Sequence, residues 1–232
     1  MKESDLVASN LVTKTPGWEA SYAKSRSDNS LWGESVIPIL ARSIELLQAN
    51  SVTAVLDVGT GDGRNLLGLC QAGLFCAGVD ISPTALTLAA NTLISQGHYA
   101  FLIEGSFTTL PFATHTVEAI TCFDCFGQIA DPLPALSEFR RVLKPRGVLF
   151  LNAFAIDDGT YGEGVKVAEH TFEYKDTTFR YYEDQELRNL LRRWELLNFE
   201  RVEWEDPAHG DFRPYPHRHV NHFVVARSKV LE

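Results

Sequence analysis

Apolar residues recur along this chain with two spacings, and the alternation between them predicts most of its elements. From Ser35 to Gln48 they fall at Ile37, Leu40, Ala41, Ile44 and Leu47, which is helical spacing. Pro38 is tolerable there because it lies near the helix start. Ala54-Val-Leu-Asp-Val58 is a short apolar run ending at Gly59, the pattern of a strand buried on both faces. A glycine-rich turn, Gly59 to Gly63, leads into a helix from Arg64 to Gln71 that stops near Gly73. Phe75 to Val79 reads as a second strand, and Pro83 opens a helix to about Ser95 with Ser82 as its N-cap. Ala100–Ile103 and Val117–Phe123 read as strands, Leu133–Leu143 as a helix, and Gly147–Phe154 as a fifth strand.

Strands separated by helices imply a doubly wound, mostly parallel sheet with helices on both faces. Beyond Phe154 the pattern changes. Thr171 to Tyr182 alternates about Lys175-Asp176 and predicts a hairpin or a pair of edge strands. Asp184–Trp194 predicts a helix, and Phe199–Glu205 and Val220–Arg227 two last strands, with a loop rich in proline and histidine between them. The expected class is α/β, Rossmann-like, with seven strands in the sheet and an antiparallel C-terminal strand.

Length and charge narrow the function classes. At 232 residues the chain suits one domain, and 45% hydrophobic with 22% charged residues is the balance of a folded globule. A net charge of −9 disfavours a grip on bare phosphate backbone, so nucleic acid is an unlikely substrate. Met1–Asn10 carries Lys2, Glu3 and Asp5 and lacks the apolar core of a signal peptide; with no run approaching the ~20 apolar residues of a membrane span, the expectation is a cytoplasmic protein. Cys70, Cys76, Cys122 and Cys125 do not form a disulfide framework, and Cys122-Phe-Asp-Cys125 has no second pair to complete a zinc site. They are expected as buried or pocket-lining thiols.

The most informative stretch is Val55-Leu-Asp-Val-Gly-Thr-Gly-Asp-Gly63. A strand enters a glycine turn and a helix leaves it, so backbone approaches a ligand closely while helix N–H groups face it. Asp80 ends the next strand, where a carboxylate accepts hydrogen bonds from both ribose hydroxyls of a nucleoside. The turn reads G-x-G-x-G, with Arg64 where the third glycine of a dinucleotide fingerprint would fall. Asp57 just upstream suits an ammonium group better than a pyrophosphate.

These residues resemble the class I S-adenosylmethionine-dependent methyltransferase family. The resemblance runs from about Thr53 to Phe154 and is strong over Val55–Gly63, Gly78–Ser82 and Leu136–Gly147. It implies S-adenosylmethionine as cofactor. Gly59, Thr60 and Gly61 would line its amino-acid end, Asp57 would orient that loop and the ammonium group, and Asp80 would hold the ribose with Ile81 against adenine. Ser106 stands where the family often has an adenine-contacting Asp, the Phe107 N–H would reach the ring, and backbone carbonyls near Cys122 and Phe123 would face the cofactor's amino group. The domain would span residues 1–232, with N-terminal cap helices in 1–50, a cofactor-binding core in 51–156 and acceptor-side elements in 157–232. Two other readings stay open, an NAD-binding Rossmann oxidoreductase and a catalytically silent nucleoside-binding protein.

The acceptor is less legible. After the fourth strand, Phe123-Asp-Cys-Phe-Gly-Gln128 lacks the Asn/Asp-Pro-Pro-aromatic motif of base-amino methylation and the Pro-Cys pair of cytosine-carbon methylation, which favours a small-molecule acceptor. The opening Trp18–Gly33 is faintly similar to the tellurite-resistance and thiopurine methyltransferase branch, and its aromatics would either cap the cofactor or pack on the first helix. Tyr22, Asp124 and His222 are candidate acceptor contacts. Four histidines crowd His209 to His222. His217 and His219 are candidates for proton transfer, since neutral imidazole accepts a proton near pH 7. The same cluster could hold a metal through His217, His219 and His222 with Asp211 or His209, or consist of strand residues on opposite faces; no metal is assigned on sequence.

Overall fold

The computed structural model describes residues 16–24, 31–32, 36–209 and 211–229. The calls on Met1–Asn10, Gly33 and Ser35 lie outside the described residues. The elements run α1 (Pro16–Lys24), α2 (Ile39–Ala49), β1 (Ala54–Val58), α3 (Arg64–Gln71), β2 (Phe75–Asp80), α4 (Pro83–Ser95), β3 (Phe101–Glu104), β4 (Val117–Cys122), a 3-10 turn (Phe126–Gln128), α5 (Leu133–Val142), β5 (Leu143–Phe154), β6 (Val165–Ala168), β7 (Thr171–Tyr174), β8 (Thr177–Arg180), α6 (Asp184–Leu190), β9 (Trp194–Asp206) and β10 (His217–Ser228). The main sheet has seven strands in the order β3-β2-β1-β4-β5-β10-β9. β10 runs antiparallel to both β5 and β9, while β1 to β5 pair in parallel. The expected class is therefore the observed one.

Alternation along each strand divides the core. Val55 joins a layer with Leu40, Leu47, Leu66, Leu69 and Phe223 on one face of the sheet. Leu56 and Val58 point the other way, towards Phe139, Leu149, Leu187 and Trp194. A third cluster, Trp18, Tyr22, Phe154, Phe179, Tyr181 and Phe212, joins α1 to the small sheet β6-β7-β8 and to the β9–β10 connection. Ser82 caps α4 as expected, its hydroxyl accepting from the Ala85 N–H at 3.0 Å. Lys175 and Asp176 both have positive φ, 50° and 59°, the turn that matches the twist of a two-residue hairpin. Among the described residues no helix is long and apolar enough to cross a membrane.

β5 begins at Leu143, earlier than Gly147, and the other main departures lie in the C-terminal third. β6 was not foreseen, because Val165-Lys-Val-Ala168 is exposed throughout and lacks a buried face to give it a pattern. α6 ends at Leu190, earlier than Trp194, and β9 begins at Trp194, earlier than Phe199. β10 starts at His217, earlier than Val220. The two strands pair from Trp194–Ser228 to Asp206–His217, with a bulge opposite Val225 and Ala226, so the ladder claims residues whose local sequence favoured helix or loop. His217 and His219 are thus strand residues, not loop residues.

Candidate active site

The strand ends β1, β2 and β4 meet at the carboxyl edge of the sheet, where ligands bind in open α/β folds. A cavity of about 850 Å³, counted to its open mouth, lies there. Its floor is Gly59, Thr60 and Gly61, its sides Asp80, Ile81, Ser106 and Phe107, and its far end Phe123, Asp124 and Gln128. Trp18, Tyr22 and Trp32 close it from the N-terminal side.

Close packing explains the glycines. Gly59 has φ 72°, and a Cβ there would meet Cys125 Sγ at 2.6 Å. Gly61 has φ 55°, and a Cβ would meet the Tyr22 hydroxyl at 2.6 Å. The Gly59 and Thr60 N–H groups bond the Val79 carbonyl at 2.8 and 3.1 Å, tying the turn to β2. Asp80 completes the cradle. Its Oδ2 accepts from the Gly61 N–H and its Oδ1 from the Ser82 N–H, both at 2.9 Å. Burial raises the Asp80 carboxyl, with those backbone N–H bonds opposing it.

Asp57 sits beneath this surface, outside the cavity lining. The β1–β4 register sets Thr121 opposite it, and its oxygens accept from Thr121 Oγ1 at 2.7 Å and Thr60 Oγ1 at 2.8 Å. It orients the loop, with no face on the cavity itself. Burial pushes its carboxyl up to about 6, the two hydroxyl bonds only partly offsetting that. The folded chain therefore holds this proton more tightly than the unfolded chain. Stability from this group is greatest below about pH 4 and is lost as pH rises through 6, by on the order of 3 kcal/mol. Asp57→Asn removes the buried charge and keeps an acceptor for one hydroxyl and a donor for the other. The variant is expected to melt higher than the parent at about pH 8 and at nearly the same temperature near pH 4; a lower melting point at pH 8 would contradict this account.

The lid is held by a residue that sequence reading missed. Glu19 of α1 accepts hydrogen bonds from the hydroxyls of Ser82 and Thr84 and, at 3.3 Å, from the Thr84 N–H, pinning α1 to the first turn of α4. A carboxylate there also complements the helix N-terminus. Glu19→Ala is expected to cost about 1–2 kcal/mol of α1 docking, read as faster amide exchange across 16–24 and weaker ligand binding; unchanged exchange would remove Glu19 from this role. Trp32 Nε1 donates to the Tyr22 hydroxyl at 3.0 Å. Burial, reinforced by the Asp62 and Asp80 charges, keeps that hydroxyl well above its usual range and so neutral.

At the far end Asp124 has φ 55°, a left-handed conformation that Asp tolerates better than most side chains. It is held from three sides. Asn152 Oδ1 accepts from its N–H and Asn152 Nδ2 donates to its Oδ1, both at 2.7 Å. Arg64 reaches its Oδ2 at 3.0 Å while lying 5.8 Å over the Trp32 ring. In the sequence Arg64 marks only the departure from a dinucleotide fingerprint and Gln128 carries no signal; their tertiary placement at the cavity gives them their roles.

The structure thus brings Gly59, Thr60, Gly61, Asp80, Ile81, Ser106, Phe107 and Phe123 to one cavity, with Tyr22 and Asp124. Asp57 and Cys122 are buried and outside its lining. All four cysteines are buried free thiols, and Cys122 and Cys125 have their sulfurs 3.2 Å apart. None of His217, His219 and His222 lines the cavity, which sets the expected proton transfer by His217 and His219 and the expected acceptor contact of His222 apart from it. The strand pleat separates them: His222 turns to the Tyr182 carbonyl at 3.0 Å, while His217 and His219 stand together on the other face. His209, edge-on to Trp32 at 5.1 Å, lies between that pair and the cavity wall.

Residues 56–151 match a family model described as a methyltransferase domain. Among curated proteins, a ubiquinone biosynthesis O-methyltransferase of Haemophilus ducreyi is 31% identical over 104 residues, covering 42% of this chain and 44% of the relative. A demethylmenaquinone methyltransferase of Thermus thermophilus is 30% identical over 115 residues, covering 49% and 52%. The chain spans about half the length of these curated relatives. Among solved structures, a SAM-dependent methyltransferase of Methanosarcina mazei superposes with TM-score 0.66 at 22% identity, over 77% of this chain and 93% of that one. The 1,6-didemethyltoxoflavin-N1-methyltransferase of Burkholderia thailandensis gives 0.63 at 18%, over 93% and 87%. At these identities the structural likeness establishes the fold.

Proposed function

We propose that this chain, whose residues 56–151 match a methyltransferase domain, is a class I S-adenosylmethionine-dependent methyltransferase that transfers a methyl group to a small, ring-bearing acceptor. The observation that carries the reading is the cradle: two positive-φ glycines on the cavity floor, packed too closely against Cys125 and Tyr22 to take a Cβ, beside a buried carboxylate at the tip of β2. The bound cofactor supplies an electrophilic methyl on a positively charged sulfur. Asp80 holds the ribose hydroxyls, and Ile81, Ser106 and Phe107 enclose the adenine. Gly59, Thr60 and Gly61 follow the amino-acid end, with Asp57 fixing their loop from below. Transfer is an in-line displacement that consumes charge, so the protein chiefly aligns the partners and excludes water. Trp18, Tyr22 and Trp32 exclude water, and Asp124, braced by Arg64 and Asn152, orients the acceptor.

The aromatic walls and the relatives named for ubiquinone and demethylmenaquinone support a ring-bearing acceptor. The net charge of −9 weighs against nucleic acid, and we place the reaction in the cytoplasm. We read 1–50 as cap, 51–156 as cofactor core and 157–232 as acceptor side. An NAD-dependent reading is disfavoured by Asp57 and Asp62, carboxylates at the glycine turn where a pyrophosphate would need positive or neutral surroundings, and by Arg64 in place of the third glycine of the dinucleotide fingerprint. Incubation with methyl-labelled S-adenosylmethionine and a panel of phenols and quinols is expected to move label into a small organic product. Label appearing only in nucleic acid or protein would overturn the acceptor class.

A further inference from the structure

Beside the cavity, at the open end of the β9–β10 ladder, three ligating side chains converge. Asp206 pairs with His217 across the ladder and His219 follows one pleat later. Their nearest ligating atoms all lie within 4.8 Å of one another. His217 Nε2 and His219 Nε2 are 3.0 Å apart, and Asp206 Oδ2 is 3.5 Å from His219 Nε2. Both histidines are about nine-tenths buried or more, at 6% and 5% exposure.

The outer nitrogens decide what the inner ones are. His219 Nδ1 faces Asp158 Oδ2 at 3.0 Å, and His217 Nδ1 faces the Tyr215 carbonyl at 3.2 Å. Both partners only accept, so both Nδ1 atoms carry protons. In their neutral form the rings would present two bare lone pairs to each other, with a carboxylate oxygen alongside. Such a set repels itself unless a proton or a cation lies between. The spacing fits a cation: two imidazole nitrogens on tetrahedral zinc at 2.0–2.1 Å stand about 3.3 Å apart.

The surroundings fit it too. Asp158 is fully engaged as a support, accepting from the Val220 N–H at 2.7 Å and from Thr160 N–H and Oγ1 at 2.9 and 2.6 Å. A buried carboxylate behind one histidine and a backbone carbonyl behind the other are the usual outer partners of metal-bound imidazoles. His209 Nε2 lies 3.3 Å from Asp206 Oδ2, steadying the third group. Of nearby cations, Arg213 is paired with Glu163 at 3.0 Å.

We propose that Asp206, His217 and His219 form a binding site for a divalent transition-metal ion of the zinc type, which fastens the β9–β10 connection behind the cavity wall. Two imidazoles and one carboxylate select this class over magnesium or calcium, which prefer all-oxygen shells. The ion is structural, because none of its ligands lines the cavity. What it secures is Phe212, whose ring packs 5.2 Å from Trp18 and 5.7 Å from Trp32. The proposal is independent of the methyltransferase reading.

The test uses the full chain without a histidine tag, stripped by chelator and titrated with cobalt(II). Saturation at one ion per chain is expected, with the visible absorption of tetrahedral cobalt, displaced by zinc. His217→Ala and the near-isosteric Asp206→Asn should abolish that spectrum, Asp158→Asn should weaken binding by about 10- to 100-fold, and His98→Ala should change neither. Zinc should raise the melting temperature of the parent and not of Asp206→Asn. Absence of cobalt and zinc binding by the folded parent, or binding unchanged in both ligand variants, would overturn the site and leave a shared proton between the two imidazoles.

Discussion

Asp80→Ala is expected to weaken binding of S-adenosylmethionine and S-adenosylhomocysteine by roughly 1–3 kcal/mol, about 5- to 160-fold, in a chain that still folds. Two effects add. The ribose hydroxyls lose an ionised acceptor, and hydrogen bonds to charged groups sit at the strong end of the range. The Gly61 N–H also loses its partner, which loosens the turn that the ligand must follow. Because the variant removes a buried carboxylate whose charged form is already strained by burial, fold stability should change little. Equal affinity in variant and parent would remove Asp80 from the ribose role.

Gly61→Ala is expected to abolish detectable cofactor binding. The residue adopts φ 55°, so a methyl group costs on the order of 1 kcal/mol of backbone strain before any contact is counted. The larger effect is steric. The new Cβ would sit 2.6 Å from the Tyr22 hydroxyl, which cannot retreat without breaking its bond to Trp32, and both rings close the cavity. Gly73→Ala supplies the control. It has φ 82° and nothing within 4 Å of a Cβ, so it carries the strain alone and should leave binding intact. Similar losses in both variants would trace the effect to backbone strain and not to the lid.

These two residues are legible in the sequence, because the strand–glycine turn–helix pattern and the carboxylate ending the next strand are local features. Helix starts were legible for the same reason: Ser82 caps α4 through its own neighbour Ala85. What escaped the sequence depends on partners far along the chain. Glu19 acts on α4 across more than sixty residues, and Arg64 meets Asp124 across a similar span. Trp194 reads as the end of a helix until its pairing with Ser228 makes it strand. The histidine cluster shows both sides. Its crowding was visible, but grouping His222 with His217 and His219 ignored the strand pleat that sends it to the Tyr182 carbonyl. Asp206 and Asp158, which join the cluster in space, come from the facing strand and from beyond β5.

Calorimetric titration of the purified chain with S-adenosylmethionine, S-adenosylhomocysteine and NAD tests the central claim most directly. The cradle of Gly59, Gly61 and Asp80 predicts saturable one-to-one binding of the two sulfur nucleosides and none of NAD. Binding of NAD with no response to either sulfur nucleoside would contradict the account.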